Sequence, residues 1–229
     1  MSSDRRTAVV AGVLFLVTEV AAIGGLALYQ PVLDGAAGTL APGAGTSAFL
    51  GALCELVLVA AVIGTGVALF PVIKRRHEGM ALGYVCFRLL EAVVIAVGIL
   101  GVLTLVTLRQ DPAGAAGAAG TAGADRALVA LHDWTFLLGP NFALGLNTAL
   151  LAYLMYRSRL VPRFIAVLGL VGGPLICASA VAVLFGLYEQ VSVAGSAAAV
   201  PVFAWEVALA VRLIAKGFDK GFDPARADG

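Results

Sequence analysis

Long apolar runs alternate with short polar breaks along the chain, and six of the runs are long enough to cross a bilayer. They cover approximately residues 8–29, 48–70, 80–108, 128–152, 163–187 and 198–216. A helix needs about 20 mostly apolar residues to cross roughly 30 Å of hydrocarbon, and each run comes close to or exceeds that length. Pro31 follows the first run, Lys74-Arg75-Arg76 the second and Arg109-Gln110-Asp111-Pro112 the third. Arg157-Ser158-Arg159 follows the fourth and Tyr188-Glu189-Gln190 the fifth. The first run is longer than the usual apolar core of a secretory signal, so a retained anchor is expected. No segments alternate in the way a transmembrane barrel requires. The pattern predicts an all-α, polytopic integral membrane protein, a bundle of six transmembrane helices.

Composition supports the same reading. Of 229 residues, 61% are hydrophobic and only 13% charged, too few polar groups to solvate a globule of this size. Basic residues then set the expected sidedness. Arg5, Arg6, Lys74, Arg75, Arg76, Arg157, Arg159, Arg163, Arg212, Lys216, Lys220 and Arg226 all fall in segments that can be cytoplasmic together. The opposite loops hold only Arg109 and Arg126, so both termini are expected inside. A net charge of +1 gives no basis for a nucleic-acid partner. The Ala/Gly tract at 111–125 lacks core-forming side chains and is expected to be mobile; neither it nor the 31–47 loop can house a soluble domain. Residues 1–218 therefore read as a single membrane domain, with 219–229 a cytoplasmic tail.

Chemistry is concentrated in the polar residues inside these runs. An ionisable side chain in lipid costs several kcal/mol unless it is paired, hydrated or neutralised, so each is a functional candidate. The candidates are Glu19, Glu55, Arg88 and Glu91, then His132 and Asp133 at the start of the fourth run, Asn141 and Asn147 deeper in it, and Glu206. Arg88 and Glu91 are three apart and share a helix face, which Tyr84 extends by a turn. At 1.5 Å per residue these groups fall at about one level, in the outer half of the bilayer. Five acids (Glu19, Glu55, Glu91, Asp133 and Glu206) then face one permanent cation, Arg88. The surplus must be protonated, solvated in an aqueous pocket, or bound to a cation. The alternative is structural: a polar clasp that specifies helix packing, with Asp133 a helix cap in headgroup water. Trp134 and Trp205 read as interfacial belt residues. Gly172-Gly173-Pro174 predicts close packing or a kink. Cys54, Cys86 and Cys177 read as small buried hydrophobes rather than metal or disulfide ligands.

Several strings resemble a known family. Gly83-Tyr84-Val85-Cys86-Phe87-Arg88-Leu89-Leu90-Glu91-Ala92, HDWTFLLGP at 132–140, YRSRLVPR at 156–163 and Gly169-Leu170-Val171-Gly172-Gly173-Pro174 are the most distinctive. With Trp205-Glu206 and Lys216-Gly217-Phe218, they resemble an uncharacterised bacterial multi-pass membrane family, domain-of-unknown-function family 4386. The resemblance spans nearly the whole chain. It implies a bacterial inner-membrane protein with this helix count, and it brings no established activity or catalytic residue.

Three functions fit these residues. A carrier or binding protein would use the surplus acids to take up a proton, a cation or a small polar solute. An accessory protein would pack beside another membrane protein, with the polar cluster structural. An intramembrane enzyme acting on a lipid would need His132 as base, Asp133 orienting it and Arg88 holding an anionic headgroup. The sequence offers no motif for a cofactor or metal: no GxSxG, HExxH or P-loop spacing occurs. The lipid bilayer is the one partner that the sequence demands.

Overall fold

Within hydrocarbon every backbone amide needs an internal partner, and a helix supplies one without a neighbouring strand. The computed structural model describes residues 3–110 and 118–219. Its helices are α1 (Ser3–Leu33), α2 (Ala44–Ile73), α3 (Glu78–Gln110), α4, α5 (Arg163–Leu184) and α6 (Val193–Ala215). α4 is one rod in three parts: α-helical Ala118–Phe136, π-helical Leu137–Ala143 and α-helical Leu144–Ser158. All six are long and apolar enough to span a membrane.

Most helix ends lie beyond the predicted ones, because a helix does not stop where hydrocarbon stops. Pro31 does not end α1. A proline forgoes its own amide bond, but residues beyond it still donate: Asp34 N–H bonds Gln30 O at 3.0 Å. The larger correction concerns α4, which begins at Ala118 instead of near 128. Alanine is the strongest helix former, so this tract winds readily despite its glycines. Asp125 then anchors it, accepting Arg109 Nε and Nη2 at 2.7 Å each. Arg109 Nη1 also donates to Val32 O, so α1, α3 and α4 are tied at one end. Of the tract expected to be mobile, 118–125 is helical and 111–117 lies outside the described residues. Nearly all of the expected tail, 220–229, also lies outside them.

The helices form a closed ring in chain order. Each packs on the next, and α6 returns to α1. α1 and α6 pack most tightly near one end, where a Cβ on Gly12 would lie 2.8 Å from Ala210 O. At that end Arg5 donates to Leu213 O and Ile214 O, adding side-chain partners to carbonyls of the last turn of α6. Small residues also seat α5: a Cβ on Gly173 would meet Gly145 O at 2.7 Å, so Gly172-Gly173-Pro174 is a site of close packing within a continuous helix.

Two apolar cores fill the ring. One gathers Phe15, Leu69, Tyr84, Met155, Trp205 and Leu213 from five helices, at the end where α1 meets α6. The other gathers Tyr29, Val62, Ile95, Val102 and Val106 from α1 to α3. Trp205 is fully buried, a correction to its interfacial reading; a Cβ on Gly169 would lie 2.7 Å from its ring. Trp134 is about half exposed, as a belt residue should be. Cys86 is also exposed, not buried, while Cys54 and Cys177 are half-buried and free. The outer surface carries Val20, Leu53, Val67, Val93, Leu100 and many similar side chains in the open, a surface suited to lipid tails.

Candidate functional site

Between the two cores lies a polar layer centred on Arg88, which is 2% exposed. Tyr84, Arg88 and Glu91 lie along one face of α3, as their spacing predicts. Each nitrogen of the Arg88 guanidinium has a partner. Nε donates to the Tyr84 hydroxyl at 3.2 Å, Nη1 to Glu91 Oε2 at 3.2 Å and Nη2 to Glu206 Oε1 at 2.9 Å. Its Cζ lies over the Phe15 ring, 5.3 Å from the centroid, an arrangement that favours a cation. Asn147 of α4 donates to the same Glu91 oxygen at 2.7 Å. Glu19 of α1 stands beside Glu206, with the two carboxyls placed to share a hydrogen bond.

These groups form one side of a cavity of about 210 Å³ that receives residues from all six helices. Its polar lining is Thr18, Glu19, Arg88, Glu91, Asn141 and Glu206. The remaining walls are apolar, among them Leu26, Leu58, Val62, Ile95, Leu144, Ile176 and Val202. Two wall residues, Ile23 of α1 and Phe203 of α6, are 59% and 46% exposed. The cavity therefore opens sideways between α1 and α6, above their contact at Gly12. The mouth faces the ring's apolar outer surface.

The other sequence candidates are placed differently. Glu55 and His132 line a second, much smaller void of about 10 Å³, together with Ile95, Gly98, Thr135, Phe136 and Pro140. Asp133 is exposed on a different side of α4. Neighbouring helix positions diverge by about 100°, so His132 and Asp133 cannot share a target. His132 Nδ1 has no hydrogen-bond partner, and the arrangement of Asp133 orienting His132 beside Arg88 does not occur. Nor does Asp133 cap α4, since it lies well inside the helix.

Some residues in the walls and beside the voids escaped the sequence reading. Thr18 lies in the cavity wall, its hydroxyl bonded to Phe15 O at 2.7 Å. Tyr29 is fully buried and faces Glu55. Phe15, Thr18, Ala22, Gly25 and Tyr29 recur at three- and four-residue steps; small and polar residues at that spacing were the available signal for an inward face. Pro140 and Asn141 reach the cavity from the π-helical turn. Among the described residues no group of three His, Cys, Asp or Glu side chains is arranged to hold a metal.

A ring of membrane-spanning helices around a buried ion-pair network and a side-opening cavity defines a multi-pass membrane protein with an internal polar site. The chain belongs to the family described as Domain of unknown function (DUF4386), which matches residues 10–217. No curated protein and no solved structure matches it.

Proposed function

We propose that this protein binds and carries a small cationic or protonatable solute in the central cavity. One relationship supports the reading above others: Glu19, Glu91 and Glu206 meet a single guanidinium in a space walled by apolar side chains. Arg88 engages Glu91 and Glu206, which leaves Glu19 as the carboxyl with no cation of its own. A half-buried acid facing an apolar space takes a proton or a cation. A cavity of about 210 Å³ is smaller than the roughly 300–1,000 Å³ of drug-sized pockets. The solute suited to it has one ammonium-like group and a compact apolar body, and it enters between α1 and α6.

The same reading places the protein in the cytoplasmic membrane of a bacterium with both termini inside, and takes residues 1–218 as one domain. Support comes from the distribution of basic loops and from contacts that gather them. Arg5 binds the end of α6, Arg75 lies 3.4 Å from Asp4, and Asp219 N–H bonds Leu160 O at 2.8 Å.

Benzylamine and its neutral counterpart benzyl alcohol test the proposal. In nanodiscs, calorimetry should show the amine binding more tightly than the alcohol. Glu19→Gln should weaken the amine about tenfold, roughly 1.4 kcal/mol, and leave the alcohol unchanged. Equal binding of both compounds, or an amine affinity indifferent to Glu19→Gln, overturns it.

A further inference from the structure

The small void at Glu55 and His132 is separate from the solute cavity, and its chemistry is its own. Glu55 of α2 and His132 and Thr135 of α4 are its polar lining, and Tyr29 of α1 stands against Glu55 and His132. Tyr29 of α1 is fully buried with its hydroxyl toward Glu55, and His132 of α4 is 5% exposed; His132 Nδ1 has no hydrogen-bond partner. Glu55 of α2 is 9% exposed. The Tyr29 and His132 rings stand edge to face at 5.5 Å. Buried polar atoms are almost always satisfied, by protein or by ordered water.

The surrounding backbone makes room for this group. A Cβ on Gly25 would lie 2.8 Å from Glu55 Cγ, so only glycine lets that carboxyl sit against α1. A Cβ on Gly98 would lie 2.6 Å from Thr135 Oγ1, in the wall of the void. The void of about 10 Å³ matches the ~10–15 Å³ of probe-occupied volume that one water requires. Such a water needs two to four polar partners. Glu55, His132 and the Thr135 hydroxyl, all in the lining, supply three.

We propose that Glu55 and His132, with Tyr29 packed against both, close around one internal water and form a proton-binding site distinct from the solute cavity. Charge balance explains why the site holds a single exchangeable proton. With one proton shared, the pair is either carboxylic acid and neutral imidazole, or carboxylate and imidazolium. Both are net neutral and tolerable in a low-dielectric interior, whereas adding or removing a proton leaves an uncompensated charge. The water accepts a proton from the Glu55 carboxyl and passes one to His132 Nδ1, so no other reactant is needed. The titratable groups facing the site are Tyr29 from α1, Cys54 and Glu55 from α2, and His132 from α4. α3 presents only Ile95 and Gly98.

The two voids share a wall. Ile95, Phe136 and Pro140 line both. Protonation of the pair is thus one side-chain layer from the solute, which gives the protein a place to couple proton occupancy to solute occupancy. The proton site itself stands without that coupling.

The chain contains two histidines, His77 and His132. His77 is exposed, its Nδ1 accepting Met80 N–H at 3.2 Å, and serves as an internal reference. Nitrogen NMR of ¹⁵N-histidine-labelled full-length protein in nanodiscs, without any solute, reads both rings across pH. In Glu55→Gln the titration midpoint of His132 should move by about one pH unit or more, the mark of coupled groups, while His77 stays fixed. Infrared spectroscopy of the unsubstituted protein provides a second measurement, in case the variant does not fold. A buried carboxyl band and the His132 signal should change at a common midpoint, and the band should shift in heavy water. An independent carboxyl midpoint, or a His132 midpoint indifferent to Glu55→Gln in folded protein, overturns the proposal. Because no amine is present, failure here is distinguishable from failure of benzylamine binding.

Discussion

Arg88 and Glu206 lie 118 residues apart in sequence and 2.9 Å apart across the centre of the ring. Their pair joins α3 to α6, two helices that are not neighbours in the ring. With the arginine gone, the network loses its one guanidinium and its carboxyls must be satisfied by other means. Arg88→Met should therefore destabilise the protein by about 3–5 kcal/mol, the usual cost of removing one partner of a buried pair. Glu206→Gln should cost less, because an amide oxygen can still accept from Nη2. Thermal unfolding in detergent ranks the two variants, and a wild-type midpoint for Arg88→Met contradicts this account.

The Arg109–Asp125 pair should act locally. It is bidentate, its side chains are 1% and 3% exposed, and it fastens the start of α4 to the ends of α1 and α3. Asp125→Ala should cost about 1.5–3 kcal/mol, as expected for hydrogen bonds to a charged group. The loss should appear as faster hydrogen exchange in the first turns of α4, with α5 and α6 unchanged. Uniform acceleration across all six helices would show that the clasp governs the whole ring.

Residue type carried much of this site into view. Acids and an arginine inside apolar runs are conspicuous whatever the packing, so Glu19, Glu91, Arg88 and Glu206 could be selected from sequence, and counting along each helix placed them at one level. Direction around each helix was not legible. Asp133 and Trp205 show the gap: the acid at the expected depth faces outward, and the tryptophan assigned to the interface is buried against Gly169. Depth follows from the chain alone, but direction depends on which neighbours a helix meets. For the same reason Glu55 and His132 were grouped with Arg88, although Ile95, Phe136 and Pro140 stand between the two voids. Tyr29 was hidden by type, since a tyrosine near a helix end reads as a belt residue.

Close packing of α5 separates intolerant glycines from tolerant ones. A Cβ on Gly173 would press against Gly145 O at 2.7 Å and Ala149 N at 2.8 Å, both backbone atoms that cannot step aside. A Cβ on Gly24 would meet only Cys54 Sγ, at an ordinary 3.6 Å. Gly173→Ala should cost about 1–3 kcal/mol through overpacking. Gly24→Ala should be neutral or slightly stabilising, because alanine restricts the unfolded chain. Melting temperatures of the two variants test the contrast, and an equal effect would mean that α5 can shift away from α4.

The π-helical turn in α4 yields the most specific expectation. Leu144 N–H reaches Gly139 O, five residues back, and Pro140 within the turn has no amide to donate. A π turn is an α-helix with one residue added, and its effect is to rotate everything before it by about 100° relative to everything after. That rotation lets His132 face the small void while Asn147, beyond the turn, reaches Glu91. Deleting Pro140 should remove the extra residue and leave an ordinary helix. The turn of about 100° per residue lost should then be absorbed within Leu137–Ala143, so that both flanks keep their faces. Deleting Ala127, in the regular part of the same rod, has no such reservoir and should misdirect Asp125, its partner in the Arg109 clasp. Folded yield and melting temperature in detergent distinguish the two deletions. A Pro140 deletion as damaging as the Ala127 deletion would show that the turn holds more than a spare residue.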